Sequence, residues 1–158
     1  MRRPHILVDA DACPVVRETE TIARKYGLTM TLLCDEHHMI NSDYAQVRHV
    51  SSGVDAVDIA LMNLCCQGDI VVTQDYGVAA MTLGKGAYVI HHTGMRYTDE
   101  NIERMLMERH LARKIRRASG KHHIHGPHKF SENDRQRYYK ALEALVLIAT
   151  QENGGNTP

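Results

Sequence analysis

Cysteines are few in this sequence, and long apolar runs are missing from it. Its 158 residues include four cysteines, none in C-x-x-C spacing, and no tryptophan. A chain of this length can bury a sizeable core without disulfides, so we expect one domain with reduced thiols in the cytoplasm. No apolar run reaches the length of a membrane span, and the start lacks the apolar stretch of a signal peptide. We therefore expect neither a disulfide-rich secreted protein nor a membrane protein.

The formal net charge is zero, but acidic and basic residues are unevenly distributed along the chain. Residues 1–95 carry 11 acidic and 7 basic residues, whereas residues 96–158 carry 8 acidic and 12 basic ones. Within 109–130 there are seven lysines and arginines and no acidic residue. Such a segment favours a polyanionic partner, for which we predict RNA or single-stranded DNA. The predicted nucleic-acid contacts are Arg109, Arg113, Lys114, Arg116, Arg117, Lys121, His122, His123, His125 and Lys129.

Two alternatives stay open for this basic segment. Its cations could form a solvated helix face with no ligand, and its histidines, with His128, could hold a transition metal. Phe130 is the only aromatic residue nearby, so the sequence does not support recognition of bases by stacking. No cysteine lies close enough to complete a familiar zinc pattern, so we favour phosphate contact or a loop for the histidines.

Two short apolar runs in the acidic half each end in aspartates. Residues 6–8 (ILV) precede Asp9 and Asp11, and residues 70–72 (IVV) precede Thr73-Gln74-Asp75. Runs without polar alternation are typical of strands buried on both faces of a parallel sheet. The carboxyl ends of such strands meet at one edge of the sheet, where ligands bind. The sequence thus predicts that aspartates from separate segments lie close together.

Hydrophobic periodicity predicts alternating strands and helices, followed by a helical C-terminal part. The predicted strands are 6–8, 28–34, 46–50, 69–73 and 87–90, and the predicted helices are 14–26, 54–67, 76–84, 98–119 and 131–152. This order predicts an α/β domain over 1–152, with a mainly parallel sheet between helices and a helical, basic C-terminal extension over 98–152. Residues 120–130 are predicted as a loop, and residues 153–158 as a disordered tail.

A third group of carboxylates points to divalent metal chemistry. Asp55 and Asp58 are spaced to share one face of a helix. Several carboxylates that converge repel one another unless a cation lies among them, and Mg²⁺ or Mn²⁺ prefers such oxygen ligands. Two ions about 4 Å apart would promote attack on a phosphodiester. The candidate metal ligands are Asp9, Asp11, Asp55, Asp58 and Asp75; the alternative is that they cap helices or face solvent.

Four stretches resemble the YaiI/YqxD family of uncharacterised bacterial proteins, over nearly the whole chain. They are ILVDADACPV (6–15), VDAVDIAL (54–61), DIVVTQDYGVA (69–79) and KHHIHGP (121–127). That family is similar to PIN-like domains, which include many metal-dependent ribonucleases. The resemblance implies a PIN-like fold and a catalytic set of Asp9, Asp58 (or Asp55) and Asp75. For the further helical acid that is usual in PIN-like nucleases, the candidates are Asp11 and, less favoured, Glu18.

Three other functions compete with a nuclease. An apolar strand ending in Asp9-Ala10-Asp11 also resembles the opening of haloacid-dehalogenase-type phosphatases, in which the first carboxylate attacks phosphorus. That family pairs two acids on a late strand, and Thr73-Gln74-Asp75 lacks the pair. A non-catalytic nucleic-acid-binding module would keep the fold and the basic segment alone. A reactive Cys13 is a minor possibility, because a helix start can lower the pKa of a thiol.

Overall fold

The protein forms a mixed α/β fold of six strands and five helices. We describe it from a computed structural model, which covers residues 2–51, 53, 55–119 and 129–154. The elements in chain order are β1 (Ile6–Asp9), α1 (Val16–Tyr26), β2 (Met30–Asp35), β3 (Gln46–Val50), α2 (Ala56–Leu64), β4 (Ile70–Val72), α3 (Tyr76–Gly84), β5 (Tyr88–Ile90), β6 (Arg96–Tyr97), α4 (Asp99–Ser119) and α5 (Glu132–Gly154).

The strands form one sheet in the order β3-β2-β1-β4-β5-β6. All neighbouring pairs are parallel except β5 and β6, which are antiparallel. In the central strand, Ile6 pairs with Met30 of β2 on one side and with Ile70 of β4 on the other. The predicted mainly parallel sheet between helices is therefore confirmed, and β1 and β4 end side by side at its centre.

Side chains of β1 alternate between two apolar layers. Ile6 and Val8 pack into a core that includes Ile22 of α1 and Leu142 of α5. Leu7 points to the other core, which contains Leu61 of α2, Ala79 of α3 and Ile102 of α4. Helices thus cover both faces of the sheet, which is why the first strand is uniformly apolar in sequence.

Helix α5 belongs to the core of the domain. Its buried residues are the predicted face, Tyr138, Leu142, Leu145, Val146 and Ala149. The Tyr138 hydroxyl lies 2.6 Å from Thr19 Oγ1, so the helix is also tied to α1 by a buried hydrogen bond. The helix starts at a capping box, in which the Asp134 amide donates to Ser131 Oγ and the Ser131 amide donates to Asp134 Oδ2. It ends at Gly154, two residues beyond the predicted end.

Several boundaries differ from the sequence prediction. Strand β2 begins at Met30, two residues after its predicted start, and residues 36–45 between the parallel neighbours β2 and β3 contain no helix, where none was predicted. Helix α2 ends at Leu64, before the predicted end: Cys65 is extended, and the Cys66 amide donates to the buried Asp69 side chain. The short strand β6 was not predicted. It follows a turn at Gly94, where φ is 91° and an added Cβ would approach Ala141 Cβ at 3.1 Å.

None of the helices in the described ranges is long and apolar enough to cross a bilayer.

Candidate active site

Asp9 and Asp75 lie at the carboxyl ends of two adjacent parallel strands. Asp9 is the last residue of β1, and Asp75 follows β4 as the residue that caps α3. Thr73 connects the two, because its hydroxyl donates to Asp9 Oδ2 at 3.2 Å and accepts the Asp75 amide at 3.1 Å. The fold therefore brings together the two acids that the apolar runs singled out.

Asp9 lies in the least favourable electrostatic environment of the group. The pKa of its carboxyl is raised to about 6, mainly by burial, and the Thr73 hydrogen bond opposes this rise. The nearby charges of Asp58, Asp11 and Asp75 contribute smaller parts of the increase. Burial also raises the pKa of Asp58, with additional contributions from Asp75 and Asp55. Carboxylates from three segments of the chain therefore repel one another electrostatically at this edge of the sheet.

Asp75 combines a capping contact with its position at the site. Its Oδ1 accepts the amides of Gly77 at 2.8 Å and Val78 at 3.1 Å, which satisfies two donors of the first turn of α3. Within the described part of the chain, no hydrogen bond to Oδ2 is formed. The capping alternative is therefore correct for one oxygen, and the second remains available to a ligand.

Asp11 contacts a second polar group at the end of β2. Both of its oxygens accept the Asp35 amide, at 3.3 and 3.2 Å. The ring of His38 bridges the two acids, with Nδ1 3.1 Å from Asp11 Oδ1 and 2.8 Å from Asp35 Oδ1. Hydrogen bonding to Asp35 raises the pKa of His38. Asp35 was not predicted from the sequence, although it ends a buried strand just as Asp9 does.

Asp55 and Asp58 line a neighbouring pocket. Asp55 is exposed, precedes α2 and has a φ of 62°, whereas Asp58 lies in the first turn of that helix. Their pocket has a volume of about 390 Å³ and shares Asp75 with the main cleft. The predicted metal ligands are thus divided between two adjoining cavities, with Asp9, Asp11 and Asp75 lining the larger one.

The larger cavity is a cleft of about 810 Å³ between the strand ends and helix α4. The α4 side chains that line it are spaced at i, i+3, i+4 and i+7: Met105, Glu108, Arg109 and Ala112. Tyr76 and His91 complete its walls. Glu108 was not predicted from the sequence, because a helical repeat in α4 does not reveal which face meets the sheet. Tyr76 and His91 were not predicted either.

Glu18, the less favoured candidate for a further helical acid, lies elsewhere. Its Oε1 is 3.2 Å from the Arg135 guanidinium, between α1 and α5. Glu108, in contrast, reaches the main cleft, where its side chain is two-thirds exposed. Glu18 is therefore not among the residues that line the main cleft, whereas Glu108 of α4 is.

The predicted nucleic-acid contacts extend from this cleft along α4. Arg109 lines the cleft, and the exposed second half of the helix carries Arg113, Lys114, Arg116 and Arg117. Lys129 is also exposed. The remaining predicted contacts, Lys121, His122, His123 and His125, lie outside the described residues, as does His128. The basic face of α4 thus begins at the acidic site.

Cys13 is not an activated thiol. Its pKa is raised to about 11, mainly by burial; a hydrogen bond from the Val15 amide opposes the rise, and the charges of Asp9 and Glu18 add to it. The possibility of a lowered pKa is therefore wrong for this cysteine.

The fold is consistent with a PIN-like α/β domain that carries an acidic cleft at the carboxyl ends of its parallel strands. The family model described as "Uncharacterized BCR, YaiI/YqxD family" matches residues 7–147, so the chain belongs to this family. A UPF0178 protein of Clostridium acetobutylicum is 55% identical over 142 residues, which cover 90% of this chain and 96% of the relative. A UPF0178 protein of Ruminiclostridium cellulolyticum is 48% identical over 149 residues, covering 94% and 95%. No solved structure matches the chain.

Proposed function

We propose that this protein is a divalent-metal-dependent nuclease that acts on RNA or single-stranded DNA. Asp9, Asp58 and Asp75 are its catalytic metal ligands, Asp11 and Asp55 support them, and the metal is Mg²⁺ or Mn²⁺. The observation that carries the proposal is the convergence of Asp9, Asp11 and Asp75 on one cleft at the carboxyl ends of the adjacent parallel strands β1 and β4.

The donor set fits a hard divalent cation. At neutral pH, Asp9 is ionised at the expense of desolvation and repulsion, and a bound cation relieves both. Oxygen atoms at Asp9 Oδ1 and Asp75 Oδ2 are not used in hydrogen bonds within the described residues. Divalent ions bound here would supply positive charge for activating water and for neutralising the leaving oxygen of a phosphodiester.

Residues around the carboxylates have positioning roles in this proposal. Thr73 fixes the orientation of Asp9 through its hydroxyl, and the contacts to the first turn of α3 fix Asp75. Arg109, on the opposite wall, places a positive charge where a substrate phosphate would enter the cleft. The exposed cations of α4 continue this surface, so a strand bound along the helix would lead its phosphates toward the acids.

A phosphatase of the haloacid-dehalogenase type fits the cleft less well. That chemistry needs the second acid of D-x-D as a proton donor and a nearby lysine. Both Asp11 oxygens accept the Asp35 amide, and Oδ1 lies 3.1 Å from His38 Nδ1, so these contacts hold the Asp11 carboxylate at the end of β2. Among the lysines that the structure describes, none lines the cleft. A non-catalytic binding module is distinguished by the cleavage experiment below.

The test is cleavage of end-labelled single-stranded RNA and DNA with Mg²⁺, Mn²⁺ or EDTA. We expect metal-dependent cleavage by the parent and loss of cleavage in Asp9→Asn and Asp75→Asn. Asparagine is itself a good helix cap, so the second variant keeps the start of α3. Asp43→Asn, which removes an exposed carboxylate outside the cleft, is the matched control and should cleave normally.

Cleavage that persists in EDTA, or in both site variants, would refute the nuclease proposal. Strand binding without cleavage under every metal condition would favour the binding module. Hydrolysis of a small phosphomonoester in place of either strand would favour the phosphatase.

A further inference from the structure

Tyr76 presents an aromatic ring at the wall of the main cleft. It is the first residue of α3, directly after Asp75. Tyr97, which is 1% exposed, packs against it edge to face with ring centroids 6.0 Å apart. The core therefore holds the Tyr76 ring in place. Because the ring is already ordered, a ligand that binds against it costs less side-chain entropy.

Arg109 lies over this ring from α4. Its Cζ is 5.6 Å from the Tyr76 ring centroid, a cation–π distance. Ile102 is buried against the α3 layer and Met105 packs beside it, so the helix that carries Arg109 is firmly docked. Within the described ranges, no carboxylate lies within ion-pair distance of the Arg109 guanidinium, although aspartates line the same cleft. A planar donor group thus faces the cavity without an ion-pair partner.

His91 supplies an uncharged donor to the same cleft. The Thr93 amide donates to its Nδ1 at 3.2 Å, and the Thr93 hydroxyl lies 2.8 Å from the same atom; with Nδ1 as the acceptor, we assign the proton of the neutral ring to Nε2. Burial, with a smaller contribution from His92, lowers the pKa of His91 to about 4. The His92 ring lies 4.0 Å away and restricts the His91 ring further. Because the Nδ1 edge is occupied, Nε2–H is the edge available to a ligand.

We propose that the Arg109 guanidinium, backed by the Tyr76 ring, is a stacking platform for one unpaired nucleobase, and that His91 Nε2–H donates to the adjoining phosphate. This assignment rests on the proposed function and specifies the substrate as an unpaired nucleotide seated in the cleft. A cavity of about 810 Å³ has room for a nucleotide. Aromatic rings and guanidinium planes both stack on bases of every type, so the platform binds without marked sequence preference.

This proposal differs from what the basic segment predicts by itself. Phe130 was the only aromatic residue near those cations in sequence, and base stacking was not expected. The fold changes this, because Tyr76 from α3 and His91 from the end of β5 meet Arg109 at one cavity. The phosphate-binding surface of α4 and the stacking platform are therefore continuous at Arg109.

The test compares the affinities of a short oligouridylate and of an abasic strand with the same length and charge. Binding is measured by fluorescence anisotropy in Ca²⁺ buffer, and a gel verifies that each strand stays intact. We expect the parent to prefer oligouridylate by at least about fivefold, the lower end of the effect of one stacked base. Tyr76→Leu and Arg109→Lys should reduce the preference toward one, and Tyr76→Phe should retain it. His91→Ala should weaken the binding of both strands by the same factor.

The matched control is Arg96→Lys, because Arg96 also lies over a tyrosine, with its Cζ 5.3 Å from the Tyr88 ring, but outside the cleft. This control should keep the preference of the parent. No preference in the parent, or an unchanged preference in both Tyr76→Leu and Arg109→Lys, would overturn the platform. Because this readout requires no hydrolysis, metal-dependent cleavage without base preference would refute the platform alone. Base preference without cleavage would refute the nuclease proposal alone.

Discussion

Removing the charge of Asp9 should stabilise the metal-free protein at neutral pH. The ionised carboxylate is partly desolvated and repelled by Asp58, Asp11 and Asp75, which together place its pKa at about 6 instead of 3.8. Asparagine keeps an oxygen that can accept the Thr73 hydroxyl, but it carries no charge. The substitution Asp9→Asn therefore removes the unfavourable electrostatics with little change in packing.

The size of this effect follows from the displaced pKa. A change from 3.8 to about 6 corresponds to about 3 kcal/mol, at 1.36 kcal/mol per pKa unit. Part of the side chain contacts solvent, so we expect a gain of about 1–3 kcal/mol in the free energy of unfolding. At the size of this domain, that gain raises the melting temperature by about 2–12 °C.

The pH dependence has a definite sign. The folded state binds the Asp9 proton more tightly than the unfolded state does, so the parent loses stability as pH rises from about 4 to about 6. Asp9→Asn lacks this loss. The difference between variant and parent should therefore be absent below pH 4 and constant above pH 6.

Calorimetric melting in EDTA at pH 4 and pH 7.5 measures both the size of the stability gain and its pH dependence. Asp43→Asn is the control for removing any acidic charge. Adding Mg²⁺ at a hundredfold excess over its dissociation constant should stabilise the parent by about 2.7 kcal/mol and the variant little. A variant that melts below the parent in EDTA at pH 7.5, with no effect of Mg²⁺ on either, would show that Asp9 is a structural residue.

Two further predictions concern the basic surface and the turn before β6. The first concerns the α4 cations Arg113, Lys114, Arg116 and Arg117. If about four cations contact phosphates of a single strand, the logarithm of the binding constant should fall with the logarithm of the salt concentration at a slope near −3, and replacing all four by alanine should flatten this slope. Salt-independent binding would refute the prediction. Gly94→Ala should destabilise the fold by about 1–3 kcal/mol in urea unfolding, because φ is 91° and the new Cβ meets Ala141 and the Arg137 carbonyl. Gly84→Ala, where an added Cβ meets nothing within 4 Å, is its control and should not destabilise comparably.

Local rules were sufficient for the part of the site that follows strands. Asp9 and Asp75 follow apolar runs that form adjacent strands. A parallel sheet brings the carboxyl ends of its strands together independently of how the helices pack. The buried face of α5 was likewise predictable, since one amphipathic helix face must meet the core. In both cases the local sequence pattern and the tertiary arrangement place the same residues at the same positions.

The remaining part of the site depends on how α4 docks. Its repeat through Met105 and Arg109 is compatible with more than one orientation, and only packing of Ile102 against the α3 layer selects one. That docking brings Glu108 and Arg109 to Tyr76, which is 33 positions away from Arg109 in sequence. Strand β6 was missed for a related reason, because two residues are too few to show a period.

The most direct test of the account is where Mn²⁺ binds. In a crystal of the parent soaked with Mn²⁺, anomalous scattering should show metal in contact with the carboxylates of Asp9 and Asp75, and the peak should disappear in Asp9→Asn. A second group of potential ligands, Asp11, Asp35 and His38, lies nearby with ligand atoms within 4.8 Å of one another. Metal found only there, or no metal at either place, would contradict the assignment of Asp9 and Asp75 as metal ligands.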